Sequence, residues 1–75
     1  MLNIKKVRID RQLTQQQVAD ASGVKVGVLR HYEQGSKNID TAKLETLLNI
    51  CGALGCNLVD ILEDEKLKEK LKTRC

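Results

Sequence analysis

From Leu13 to Gly35 the chain places two short runs of helically spaced apolar residues on either side of one glycine, and few folds accommodate that arrangement. Val18 and Ala19 lie in the first run, and Val28, Leu29 and Tyr32 recur at three- and four-residue spacing in the second. Gly23 separates them, and glycine ends a helix cheaply because it accepts left-handed backbone. Two helices this short, joined by so tight a turn, cross steeply only under stringent steric limits. A small residue must sit where they approach, and Ala19 supplies it. Apolar side chains must fill the wedge, and Val18, Val24, Leu29 and Tyr32 supply them.

The rest of the chain is organised around this pair. Ile4, Val7 and Arg11 share a helical face with Leu13 closing it, so residues 3–12 are predicted as a first helix. Thr14, with Gln17 three residues on, is a capping-box pattern that opens a second helix over 15–22. The third helix ends at Gly35, and Gly35 to Asn38 is a polar turn. Asp40 or Thr41 can cap a fourth helix, whose inward stripe is Leu44, Leu47, Leu48, Cys51 and Leu54. Gly55 ends it, and Asn57 caps a short fifth helix carrying Leu58, Ile61 and Leu62. From Glu63 the chain turns strongly charged, with only Leu67 and Leu71 to bury, and reads as an exposed, fraying helix. No repeat and no hairpin signal interrupts this pattern. The expected fold is all-α, with a domain over 1–62 and a charged tail over 63–75.

Composition narrows the function classes. At 75 residues there is one domain, and a core this small is marginal unless oligomerisation supplements it. Tyr32 is the sole aromatic, which disfavours single-strand nucleic-acid readers that stack bases on several rings. The net charge is +3 and unevenly placed: residues 1–43 hold eight basic and four acidic side chains, residues 44–75 five and six. Cys51, Cys56 and Cys75, with one histidine and no close cysteine pair, make no zinc signature. The odd cysteine count without a signal peptide predicts reduced thiols in a cytoplasm, with Cys51 a small core residue. No apolar run approaches the ~20 residues of a membrane-spanning helix. No catalytic constellation or phosphate loop is present, so neither an enzyme nor a cofactor is expected.

Several patterns occur together in one order: I-x-x-V-R from Ile4, L-T-Q-x-x-V-A-x-x-x-G-V from Leu13, L-x-x-Y-E-x-G from Leu29, L-x-x-L-L-x-I-C-x-A-L-G from Leu44, and N-L-x-x-I-L from Asn57. In this the chain resembles the phage-repressor (Cro/Xre-like) helix-turn-helix family over about residues 2–62. The resemblance implies a five-helix, lambda-repressor-like domain whose third helix enters the major groove. It places Lys25, Val26, Gly27, Arg30, His31 and Gln34 at base-reading positions. Lys25 and Arg30 can donate to guanine or to phosphate, His31 to an acceptor, and Val26 can touch only a thymine methyl. Gly27 lets the backbone approach. Val28 is read as packing and Tyr32 as a core ring. Gln15 and Gln16 are expected to anchor a phosphate at the second helix, with Lys37, Asn38 and Lys43 forming a clamp beyond the third. The resemblance also implies a structural ion pair between Arg8 and Glu33, with Arg8 keeping a donor for phosphate.

The sequence departs from the family at the start of the reading helix. Lys25 stands where a hydroxyl cap is usual, which forgoes about 0.5–2 kcal/mol. Gly27 inside the helix costs roughly 1 kcal/mol against alanine. Ser22 replaces a usually apolar residue at the turn. The expected function is a double-stranded-DNA-binding regulator, a repressor acting as a homodimer on a partly palindromic operator. Leu58, Val59 and Leu62 are the expected dimer contacts, and the protein would be bacterial or phage-encoded. Two alternatives stay open at this point: an antitoxin or mobile-element control protein holding a toxin or inducer protein, and a protein-binding adaptor without DNA binding.

Overall fold

A computed structural model describes residues 2–73. The helices are α1 (Asn3–Asp10), α2 (Gln15–Ser22), α3 (Val26–Gln34), α4 (Leu44–Leu54), α5 (Leu58–Ile61) and α6 (Glu65–Thr73), with a 3-10 turn at Ile39–Thr41. Among the described residues there is no strand. Ile4, Val18, Leu29, Ile50 and Ile61 are the most deeply buried side chains, so α1 to α5 each contribute one to a single core.

α1 ends at Asp10, two residues earlier than its periodicity predicts. The chain reverses at Gln12, whose φ is +59°. The Gln12 N–H donates to the Ile9 carbonyl (2.9 Å) and the Leu13 N–H to the Arg8 carbonyl (3.1 Å), a paired C-terminal cap that glycine normally occupies. α2 then starts on the capping box read from the sequence. The Gln17 N–H donates to Thr14 Oγ1 (3.0 Å), and the Thr14 N–H donates to Gln17 Oε1 (2.8 Å). Gly23, at φ +76°, stops α2. Ser22 is buried there without penalty: its hydroxyl donates to the Ala19 carbonyl (3.3 Å) and accepts the Val24 N–H (3.2 Å).

Two sequence expectations fail in the second half. Neither Asp40 nor Thr41 caps α4. Lys43 precedes that helix without a side-chain cap bond, and the short turn before it is held by Asn38, whose Oδ1 accepts the Asp40 N–H (2.9 Å). The Asp40 carboxylate works at long range instead, accepting the N–H groups of Glu63 (2.8 Å) and Asp64 (3.2 Å). The stripe on α4 is also rotated. Leu47, Ile50, Cys51 and Leu54 face inward against α2, while Leu44 and Leu48 are 60% and 53% exposed. Leu48 follows Leu47 by one residue, about 100° round the helix, which turns it off the face packed on α2.

The tail is better anchored than an exposed helix. Asp64 Oδ1 accepts the Lys66 N–H (2.8 Å) at the start of α6, and Leu67 and Leu71 pack on the core. Asn3 ties the other end of the chain to the same region, its N–H donating to Glu63 Oε2 (2.5 Å) and its Nδ2 to the Leu62 carbonyl (2.8 Å). Arg74 and Cys75 lie outside the described residues.

Candidate nucleic-acid interface

α3 divides its side chains cleanly. Leu29, Tyr32 and Glu33 point inward, whereas Lys25, Arg30, His31 and Gln34 are exposed. Among the described residues none of these four exposed side chains has a hydrogen-bond or ion-pair partner, so their donors are available. Val26 and Gly27 are half-buried, and Val26 packs partly on the core, leaving one edge outside. A methyl group added at Gly27 would meet nothing within 4 Å, so the fold itself leaves open space there.

The flanking anchors divide into free and engaged groups. Lys37 and Lys43 are exposed and line, with Tyr32, Asn38, Thr41 and Ala42, one shallow cleft of about 340 Å³. The cleft therefore gathers two cations and an amide from the turn after α3 and the start of α4. Gln16 is exposed and donates to Asp20 (2.8 Å), a contact it can exchange for an anion at little cost. Gln15 is half-buried, and its amide donates to Glu33 Oε1 (3.1 Å).

Arg8 makes the expected pair with Glu33. Its Nε donates to Glu33 Oε2 (2.7 Å) and its Nη2 to Glu33 Oε1 (3.0 Å), a two-bond pair joining α1 to α3. A third donor, from Nη1, goes to the Leu13 carbonyl (2.8 Å), and with the side chain only 13% exposed little of the guanidinium faces outward. Glu33, with its side chain 2% exposed, thus collects α1 through Arg8 and α2 through Gln15 beneath the outward face of α3. Burial of that carboxylate is tolerated because three N–H donors meet it.

The candidate dimer residues also separate. Leu62 is 4% exposed and belongs to the core, so it offers no surface to a partner. Leu58 and Val59 are half-buried and line, with Asn57, Leu71 and Lys72, an open apolar groove of about 290 Å³. The residues that sequence reasoning missed are Leu44 and Leu48, which it had turned inward. Their equal fit to a 3–4 spacing hid which sector the neighbours cover.

Among the described residues no group of His, Cys, Asp and Glu is placed to hold a metal ion, and no helix is long and apolar enough to cross a membrane. No curated protein and no solved structure matches the chain. A helix-turn-helix family model does match, over residues 4–61, which spans α1 to α5 with the exposed face of α3 at its centre. That family is one of DNA-binding regulatory domains, not of catalysts. The chain therefore belongs to the Cro/Xre-like helix-turn-helix family of DNA-binding transcriptional regulators.

Proposed function

We propose that this DNA-binding regulator is a sequence-specific repressor that occupies a partly palindromic operator as a homodimer. The observation that carries the reading is the outward face of α3 and its N-cap, where Lys25, Arg30, His31 and Gln34 stand exposed with no side-chain bond to another described residue. Laid along the major groove, Arg30 and Lys25 meet guanine O6 and N7 or a flanking phosphate, and Gln34 suits adenine N6 and N7. His31 donates to a base acceptor, Val26 contacts a thymine methyl, and Gly27 lets the helix lie close. Gln16 at the start of α2, and Lys37, Asn38 and Lys43 around their cleft, grip the backbone on either side, while Gln15 adds only its backbone N–H because its amide is held by Glu33. The phosphate contacts supply most of the affinity, and the base contacts supply the choice of site.

Pairing of two chains through Leu58, Val59 and the apolar groove beside them sets two reading helices about 34 Å apart. The small core of so short a chain favours that association. The experiment is selection of bound sites from random duplexes, followed by a salt titration on the selected site. The expected result is a two-fold symmetric site with half-sites about one helical turn apart and affinity falling steeply with salt. Arg30→Ala should cost about 1–3 kcal/mol and relax one base position, whereas Lys37→Ala should weaken all sequences alike and lower the salt slope by about one. Absence of any enriched sequence, with weak and salt-insensitive binding, would refute the reading and favour a protein-binding adaptor.

A further inference from the structure

Cys51 and Cys56 are assigned no role by DNA binding, yet the cap that ends α4 sets the two residues beside one another. Cys51 sits in the last turn of α4 and is buried, and Cys56 follows the left-handed Gly55 and is half-buried. The Cys56 N–H donates to the Cys51 carbonyl (3.1 Å), and the Gly55 N–H donates to the same oxygen (2.8 Å). A cap of this kind sets the residue after the left-handed position against the residue five before it, the place usually taken by an apolar contact. Here both are cysteines, one buried and one half-buried, joined through that backbone bond with their side chains on neighbouring positions.

We propose that Cys51 and Cys56 form a redox-modification site, in which a hydroperoxide converts the two thiols into an intramolecular disulfide that staples the end of α4 to the segment entering α5. The more accessible Cys56 sulfur attacks the peroxide oxygen, breaking the O–O bond and giving a sulfenic acid and one water after proton transfer. The Cys51 sulfur then attacks the Cys56 sulfur, and the hydroxyl leaves with the Cys51 proton as a second water. Two thiols and one hydrogen peroxide become one disulfide and two waters, so the two electrons lost by sulfur are those gained by peroxide oxygen. Burial pushes both thiols up, Cys56 to about 12, which makes the first step slow. The second step is fast by contrast, because the backbone bond between the two residues keeps the resolving cysteine beside the oxidised one. That proximity steers the outcome away from sulfinic acid and away from links between chains. The inference is independent of the DNA-binding reading.

The test uses the full chain carrying Cys75→Ser, so that only this pair is present. The folded protein is treated with hydrogen peroxide, blocked by alkylation, and cut at lysine and arginine. Peptide 44–66 carries both cysteines. The expected result is a peptide lighter by two hydrogens that takes up no alkylating agent until reduced, from a protein that remains free of disulfide-linked dimers. With Cys56→Ser added, the two-hydrogen loss should vanish while folding, followed by circular dichroism, is retained. A peptide that gains oxygen atoms, a covalent dimer, or two thiols still alkylated after the urea-unfolded chain has closed its disulfide would each overturn the proposal.

Discussion

Removing the Arg8 guanidinium tests whether the α1–α3 bridge holds the reading helix in place. In Arg8→Met the apolar stem survives, but the bonds at 2.7 and 3.0 Å to Glu33 and at 2.8 Å to Leu13 are lost. Glu33 keeps only the Gln15 amide at 3.1 Å. Breaking a buried pair from one side costs about 3–5 kcal/mol, because the remaining charge is left without its partner. Arg8 is 13% exposed, so water reaches the vacated position and holds the loss near the lower end, about 3 kcal/mol. A chain of this length carries about 4–11 kcal/mol in all, at roughly 0.05–0.15 kcal/mol per residue. The substitution should therefore remove a quarter or more of the stability, read as a fall in the urea midpoint by far-UV circular dichroism with unchanged slope. Adding Glu33→Leu should return much of the loss, since an apolar pair often replaces a buried ion pair without net cost. A loss below about 1 kcal/mol, or a double variant no more stable than the single one, would refute the bridge as the tie between these helices.

Three further outcomes follow from local geometry. Gln12 pays for a left-handed backbone at φ +59°, so Gln12→Gly should raise the unfolding free energy by about 0.5–1 kcal/mol in urea titration. Leu47→Ala should cost about 2–5 kcal/mol, whereas Leu48→Gln should stay within about 0.5 kcal/mol, because Leu47 is in the core and Leu48 is 53% exposed. Equal losses at the two positions would restore the inward stripe that the sequence suggested. The Cys56 thiol, held protonated up to about 12 against 9.0 when unfolded, makes the folded chain bind the extra proton in that interval. Its contribution is complete below about pH 9 and fades as pH rises toward about 12; between about pH 8 and about pH 10 no more than about 1 kcal/mol is lost, since solvent partly screens a half-buried thiol. Cys56→Ser should flatten that part of the stability–pH curve.

The α2–turn–α3 unit was legible in the sequence because its determinants are local. Thr14 and Gln17 are three residues apart and satisfy each other's backbone partners, Gly23 takes the left-handed turn, and Leu29 and Tyr32 fall on one face of α3. Local spacing also decided which side of α3 carries Arg30, His31 and Gln34, since an amphipathic helix of nine residues has one apolar side to bury.

Other features depended on what lies across the fold. Periodicity defines an apolar arc on α4 but not which part of it α2 covers, so Leu44 and Leu48 emerged outside and Leu62, on the next segment, inside. Asp40 holds backbone 23 and 24 residues away, and Asn3 binds segments 59 and 60 residues away, distances over which sequence spacing carries no geometric information. The same holds for Arg8: its pairing with Glu33 was named by resemblance, but the Leu13 carbonyl that takes a third donor became a neighbour only when Gln12 reversed the chain. Short-range hydrogen bonding and helical repeat are properties of the chain itself, whereas the sector a helix buries and the partner a side chain finds exist only after the elements have packed.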